Sequence, residues 1–172
     1  MLSDEVKIEL SKFAKAVIKS SRSNLTRKGK NASKELYKSL DFDLNVTKNS
    51  FSLAFLMEAY GKFQDVGVSG KKKKYNTPFS YKSKMPPAKA FDKWTIKKGL
   101  APRDKEGKFI SRKSLNFLIA RSVYNNGIKP SLFFTKPFEA AFKRLPDDLI
   151  EKFGLDLEDF LTFTTNNLPN GN

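Results

Sequence analysis

Two short runs, residues 41–46 and 51–55, constrain the fold of this chain more than any other feature. Phe42, Leu44 and Val46 alternate with Asp41, Asp43 and Asn45; after Thr47-Lys48-Asn49-Ser50, Phe51, Leu53 and Phe55 resume the alternation. A period of two gives each run one apolar face, and the polar tetrapeptide between them has turn chemistry, so the runs are expected to pair as an antiparallel hairpin. Two strands alone are marginal in water. Either helices cover the apolar face or neighbouring subunits extend the sheet. The expected class is therefore α+β, with helices packed on a small antiparallel sheet.

Helical periodicity surrounds the hairpin. Residues 3–20 read as an amphipathic helix capped by Ser3, with Asp4 and Glu5 in its first turn and Val6, Leu10, Phe13 and Val17 on one face. Residues 20–33 are polar and basic without a period and read as a loop. A short helix follows around Ser33–Leu40, with Leu36 and Leu40 on one side. Another carries Tyr60 and Phe63 on one face and stops at Gly67. Together the hairpin and this helix suggest that Tyr60 and Phe63 lock the strands onto the helical layer.

Further along, Ala88–Lys98 reads as a helix ending at Gly99, with Phe91 and Trp94 on one side. Asp104-Lys105-Glu106-Gly107 is a turn. Ser111 is placed to cap Arg112–Asn125, whose stripe is Leu115, Leu118, Ile119, Ser122 and Val123 and whose stop is Gly127. Pro130–Lys136 reads as extended, and Pro137 suits the first turn of a helix bearing Phe138, Ala141 and Phe142. A final helix opens at Pro146 with the stripe Leu149, Phe153, Leu157, Phe160 and Leu161, interrupted by Gly154; residues 166–172 have the composition of a tail.

At 172 residues the chain suits one domain, with a core over 3–70 and 129–165 and a basic helical insertion over 71–128. It has no apolar run of 18 residues and no signal-peptide pattern at its start, which predicts a soluble protein made in the cytoplasm, with no membrane partner. Cysteine and histidine are both absent. That excludes disulfides, thiolate chemistry, Ser-His and Cys-His catalysis and the usual zinc sites. Gly67-x-x-Gly70-Lys71 lacks the four-residue spacing and the following hydroxyl of a phosphate loop. Glu106-Gly107-Lys108, with Asp92, has the spacing of a metal-dependent nuclease but sits in a turn where that chemistry needs a strand. The expectation is a protein without enzymatic activity, cofactor or metal.

Charge is unevenly distributed. Residues 145–172 carry Asp147, Asp148, Glu151, Asp156, Glu158 and Asp159 against Lys152, a net of −5. Residues 67–113 carry fifteen Lys or Arg against Asp92, Asp104 and Glu106, a net of +12. Such a block suits a polyanion, and the candidate phosphate contacts are Lys71, Lys72, Lys73, Lys74, Lys82, Lys84, Arg112 and Lys113. Tyr75, Phe79 and Tyr81 stand among these lysines, either to stack bases or to pack inward. The two basic helices raise the alternative of a DNA-binding regulatory or packaging protein with a helical DNA-binding insertion. Their connection exceeds the three or four residues of a helix-turn-helix, however, and Arg112, Lys113, Asn116 and Arg121 form no clear base-reading face.

One ordered set of motifs goes further. Tyr60-Gly61-x-Phe63-Gln64-Asp65-x-Gly67, after a short helix and an apolar hairpin, resembles the neck and tail-completion proteins of tailed bacteriophages. Leu36-x-x-Ser39-Leu40 is similar to that family's Leu-x-x-Ser-Ile segment, and Lys136-Pro137-Phe138 to its Pro-Phe entry into a later helix. Lys34 stands where the family usually has a glycine, and a long basic stretch fills what is normally a short loop. The resemblance covers about residues 3–70 and 129–160. It implies a virion structural protein, assembled in the host cytoplasm and resident in the neck. Its partners would be further copies in a ring, the adjacent portal, adaptor or tail proteins, and double-stranded DNA met without sequence preference. Tyr60, Gly61, Phe63, Asp65, Gly67, Pro137 and Phe138 would be its fold and assembly residues.

Overall fold

A computed structural model describes residues 2–47, 50–155 and 157–166. The fold is α+β: among the described residues there are eight α-helices and one antiparallel sheet of two strands. The chain divides into two compact units, Met1–Gly61 with Leu132–Asn172, and Lys62–Ser131.

The first unit holds the hydrophobic core. Its elements are α1 (Leu2–Arg27), α2 (Glu35–Ser39), β1 (Asp41–Val46) and β2 (Phe51–Leu56), followed after the second unit by α6 (Thr135–Phe142), α7 (Asp147–Phe153) and α8 (Leu157–Asn166). β1 and β2 pair from Asp41 opposite Leu56 to Val46 opposite Phe51, the register expected from the alternation. Thr47 closes the turn by donating its backbone N–H to the Ser50 carbonyl at 2.8 Å; Lys48 and Asn49, the centre of the expected turn, lie outside the described residues. The buried face of β2, Leu53 and Phe55, meets Phe13 of α1, Phe138 of α6 and Phe160 of α8. Phe13 lies edge-on to Phe138 at 5.2 Å, and Phe55 edge-on to Phe134 at 5.0 Å. Edge-to-face pairs of this kind add about 0.5–1.5 kcal/mol each beyond the area they bury.

Several sequence expectations give way here. α1 runs to Arg27, through the segment read as a loop, and it already includes Ser3, the residue expected to cap it. The apolar stripe does continue, through Ile18 to Leu25, but Ser21 interrupts it as a buried hydroxyl. Tertiary contacts fix the extra turns: Arg22 donates Nε to the Tyr37 carbonyl at 3.0 Å and Nη2 to the Leu40 carbonyl at 2.8 Å. Residues 130–136 are not a strand. Leu132 has φ +50°, the chain turns, and Phe133 and Phe134 enter the core ahead of α6, whose first turn holds Pro137.

The single final helix is in fact two. Gly154 takes φ +56° and ends α7, and the Leu155 N–H reaches back to the Ile150 carbonyl at 2.9 Å, a Schellman closure. Leu149 of α7 and Phe160 of α8 are buried, so the apolar side of this acidic segment completes the core. The expected tail beyond residue 166 lies outside the described residues.

Replacing Phe138 by Ala should lower the stability of this unit by about 3–5 kcal/mol, measured by far-UV circular dichroism in denaturant. Ser21→Ala should do the opposite. Among the described residues the buried Ser21 hydroxyl has no hydrogen-bond partner, and alanine removes that cost while favouring the helix, a gain of about 1 kcal/mol. Loss of stability in Ser21→Ala would mean the hydroxyl has a partner.

Candidate nucleic-acid interface

The second unit carries almost all the net charge. Lys62–Ser131 holds eighteen Lys or Arg against Asp65, Asp92, Asp104 and Glu106, a net of +14 of the chain's +15. Three of the four acids serve the fold. Asp65 is buried, Asp92 accepts from Asn116 Nδ2 at 3.0 Å, and Asp104 accepts the N–H groups of Glu106 and Lys108 in the expected turn.

The unit is built around α5 (Arg112–Asn126), which Ser111 caps by accepting the Ser114 N–H, and which ends at Gly127. A 3-10 turn (Ala88–Phe91) and α4 (Asp92–Lys97) pack on it. Thr95 Oγ1 donates to Asn116 Oδ1 at 3.1 Å across this contact. The buried residues of α5 are Asn116 and Ala120, with Leu115, Ile119 and Val123 half-buried, whereas Leu118 of the expected stripe is exposed. The polar Asn116 shifts the buried face by about one residue, because Thr95 and Asp92 satisfy its amide. On α4 it is likewise Thr95 that is buried, and Trp94 is exposed.

The lysine run is held by its backbone. The N–H of Lys71 donates to the Tyr124 carbonyl at 2.9 Å, and those of Lys72 and Lys73 to the Asn125 carbonyl at 2.9 and 3.2 Å. These are carbonyls of the last turn of α5, which has no intrahelical donor for them. Val68 and Ile128 exchange both backbone hydrogen bonds, at 2.9 and 2.8 Å, bringing Gly70 against Gly127. A Cβ on Gly70 would collide with the Asn125 carbonyl and the Gly127 nitrogen, and one on Gly127 with the Val68 carbonyl. Gly127 also has φ +71° and ψ −167°, a region essentially confined to glycine. The Ser69 hydroxyl donates to the Tyr75 carbonyl and accepts the Tyr75 N–H, and Thr77 Oγ1 donates to the Gly67 carbonyl at 3.0 Å.

Lys71–Lys74 thus lie exposed on an ordered loop over the C-terminal end of α5, where positive charge also suits the helix dipole. Among the described residues none of the four pairs with a carboxylate; Lys74 Nζ donates to the Gly70 carbonyl, and Lys73 Nζ stands 5.8 Å from the Tyr75 ring. Lys82 and Lys84 are exposed nearby in sequence, and the Lys82 carbonyl accepts the Tyr124 hydroxyl at 3.2 Å. Arg112 and Lys113 sit elsewhere, at the N-terminal end of α5, about 20 Å along the helix. The interleaved aromatics are half-buried: Phe79 lies edge-on to Phe63 at 4.8 Å and Tyr81 is 6.3 Å from Tyr124. Burial pushes the Tyr81 hydroxyl above the ordinary phenol range. These rings pack within the unit, the second of their two expected roles.

The residues of the Tyr60–Gly67 motif have structural partners. Tyr60 is not buried; its hydroxyl accepts the Leu36 N–H at 3.1 Å, at the start of α2. Gly61 opens α3 (Gly61–Val66), and a Cβ there would stand 2.7 Å from Leu36 Cδ1. Phe63 is half-exposed against Phe79, so the expected lock of Tyr60 and Phe63 on the hairpin is replaced by two separate contacts. The carbonyls of Gln64 and Asp65 both accept the Ser131 N–H, and a Cβ on Gly67 would stand 2.6 Å from the Ile128 carbonyl. Pro137 and Phe138 are buried in the core of the first unit.

A second cationic feature escaped the sequence reading. In the first unit a groove of about 670 Å³ is lined by Lys15, Lys19, Arg22 and Arg27 on α1 and by Tyr37, Leu40 and Phe42 opposite. Lys15, Lys19, Arg22 and Thr26 follow helical spacing, a signal that the polar, basic composition of residues 20–33 masks. No protein-family model matches the chain, and no curated protein or solved structure matches it.

Gly70→Ala and Gly127→Ala should each cost about 3 kcal/mol or more, since neither backbone can yield without opening the contact. Gly99→Ala, in open space at φ +62°, should cost only about 1 kcal/mol. Trp94 is the only tryptophan and lies in this unit, so its fluorescence in denaturant reads the effect directly. Equal midpoints for Gly70→Ala and Gly99→Ala would refute the tight approach.

Proposed function

We propose that this chain is a non-enzymatic virion protein of a tailed-phage neck, forming a ring around the DNA channel and meeting the genome through phosphate contacts. The observation that carries the DNA part is the lysine run, four exposed cations of which Lys71, Lys72 and Lys73 are held by backbone hydrogen bonds, on a unit of net charge +14. Cations on a fixed loop meet phosphates with little ordering cost and without reading bases, the contact suited to DNA that must pass through in any sequence. Further copies, adjacent portal, adaptor or tail proteins, and double-stranded DNA are the partners of this reading.

The neck assignment draws on the motif resemblance, and two geometric details support it. Lys34, at the position where the family usually has glycine, takes φ +57°, a left-handed conformation that glycine adopts most readily. Gly61 and Gly67 both stand where a side chain would collide. The helical regulator is less well supported: Asn116 is committed to Asp92 and Thr95, and the exposed side of α5 carries Phe117 and Leu118.

Replacing Lys71–Lys74 together by glutamine keeps every backbone hydrogen bond and removes four charges. The affinity for duplex DNA should then fall, and the slope of log K against log salt should shrink by up to about 0.9 per lost phosphate contact, alike for unrelated sequences. An unchanged slope, with Trp94 fluorescence showing an intact unit, would remove the loop from the DNA interface.

A further inference from the structure

The second unit leaves its large apolar side chains outside. Among its described residues only Val68 and Ala120 are buried hydrophobics, whereas Trp94, Ile96, Leu100, Phe109, Phe117 and Leu118 are each more than two-fifths exposed. Phe109, at 64%, is the most exposed of all. It pairs with Arg103 at the base of the turn closed by Asp104, with the Arg103 guanidinium 3.8 Å from its ring centre. Phe117 and Leu118 straddle the outward side of α5 with Arg121, and Trp94 and Ile96 flank the buried Thr95 on α4. Phe117, Leu118 and Arg121 thus share the side of α5 opposite its buried Asn116 and Ala120. Phe and Arg are among the residues enriched at protein interfaces.

The surrounding charge selects what covers this side of α5. Arg112, Lys113 and Arg121 belong to the same helix, in a unit of net +14. Two such units face to face would repel. The complementary surface is present on the same chain: α7 buries Leu149 and turns Asp147, Asp148 and Glu151 to solvent, with Ile150 and Phe153 half-buried, in a segment of net charge −5. We infer that the outward side of α5, with Phe117, Leu118 and Arg121, docks on the acidic face of α7 in another copy of the chain. The inference rests on the proposal that the protein is a homo-oligomer and names the surfaces that make it one. Because the two surfaces differ, the contact is heterologous, the kind that closes into a ring when its rotation permits.

The absence of cysteine allows a clean test. Phe117→Cys and Glu151→Cys, each a single exposed thiol, are mixed in equal amounts with a short bis-maleimide. The expected product joins one variant to the other, and neither variant alone links to itself. In sedimentation velocity, Phe117→Ser/Leu118→Ser and Asp147→Lys/Asp148→Lys should each weaken self-association at least tenfold. Linkage of Phe117→Cys to itself would overturn the inference in favour of an isologous contact. A Phe117→Ser/Leu118→Ser variant that loses affinity for DNA and keeps its self-association would overturn it in favour of nucleic acid as the occupant. An oligomeric wild type that gives no mixed product defeats this inference alone, whereas a wild type monomeric at every concentration defeats the ring as well.

Discussion

The end of a helix needs donors for its last carbonyls, and the second unit depends on where α5 finds them. Tyr124 and Asn125 receive the N–H groups of Lys71, Lys72 and Lys73, an arrangement possible only because Gly70 and Gly127 let two backbones touch. The consequence is electrostatic. Four neighbouring cations repel one another and in a free loop would spread apart; anchored by their main chain over the negative end of a helix dipole, they stay together. A run that would read on its own as a solvated tract is a positioned array.

The two units solve opposite problems. In the first, rings from α1, β2, α6 and α8 meet in one cluster, and the two-stranded sheet is stable because helices cover its apolar face. In the second there is little apolar burial, and polar staples take its place: Ser69 on Tyr75, Thr77 on Gly67, Asn116 between Thr95 and Asp92. A unit held by backbone hydrogen bonds and carrying +14 has less to hold it together in isolation than one with a core, and it gains most from a partner that neutralises charge or covers apolar surface.

Features set by local rules were legible in the sequence. The hairpin register follows from alternation, the α5 cap from Ser111, and the helix stops at Gly67 and Gly127 from glycine's freedom at positive φ. What escaped depends on partners distant in the chain. α1 continues past residue 20 because Arg22 finds the carbonyls of Tyr37 and Leu40, and the buried side of α5 turns toward Asn116 because Thr95 and Asp92 satisfy its amide. Gly154 was a matter of degree, a residue that weakens a helix interior or ends it, and the carbonyl of Ile150 decides for the second. Of the candidate site, the identity of the lysines was legible and their fixation was not, since the groups that hold them lie more than fifty residues away.

The central claim is that the lysine array is ordered before any ligand arrives. Amide hydrogen exchange on the free protein, resolved by residue, tests it most directly. The amides of Lys71, Lys72 and Lys73 should be protected to the same order as those in the last turns of α5, because they open only when that contact opens. Exchange of all three at the rate of a solvated chain, with α5 itself protected, would contradict the account.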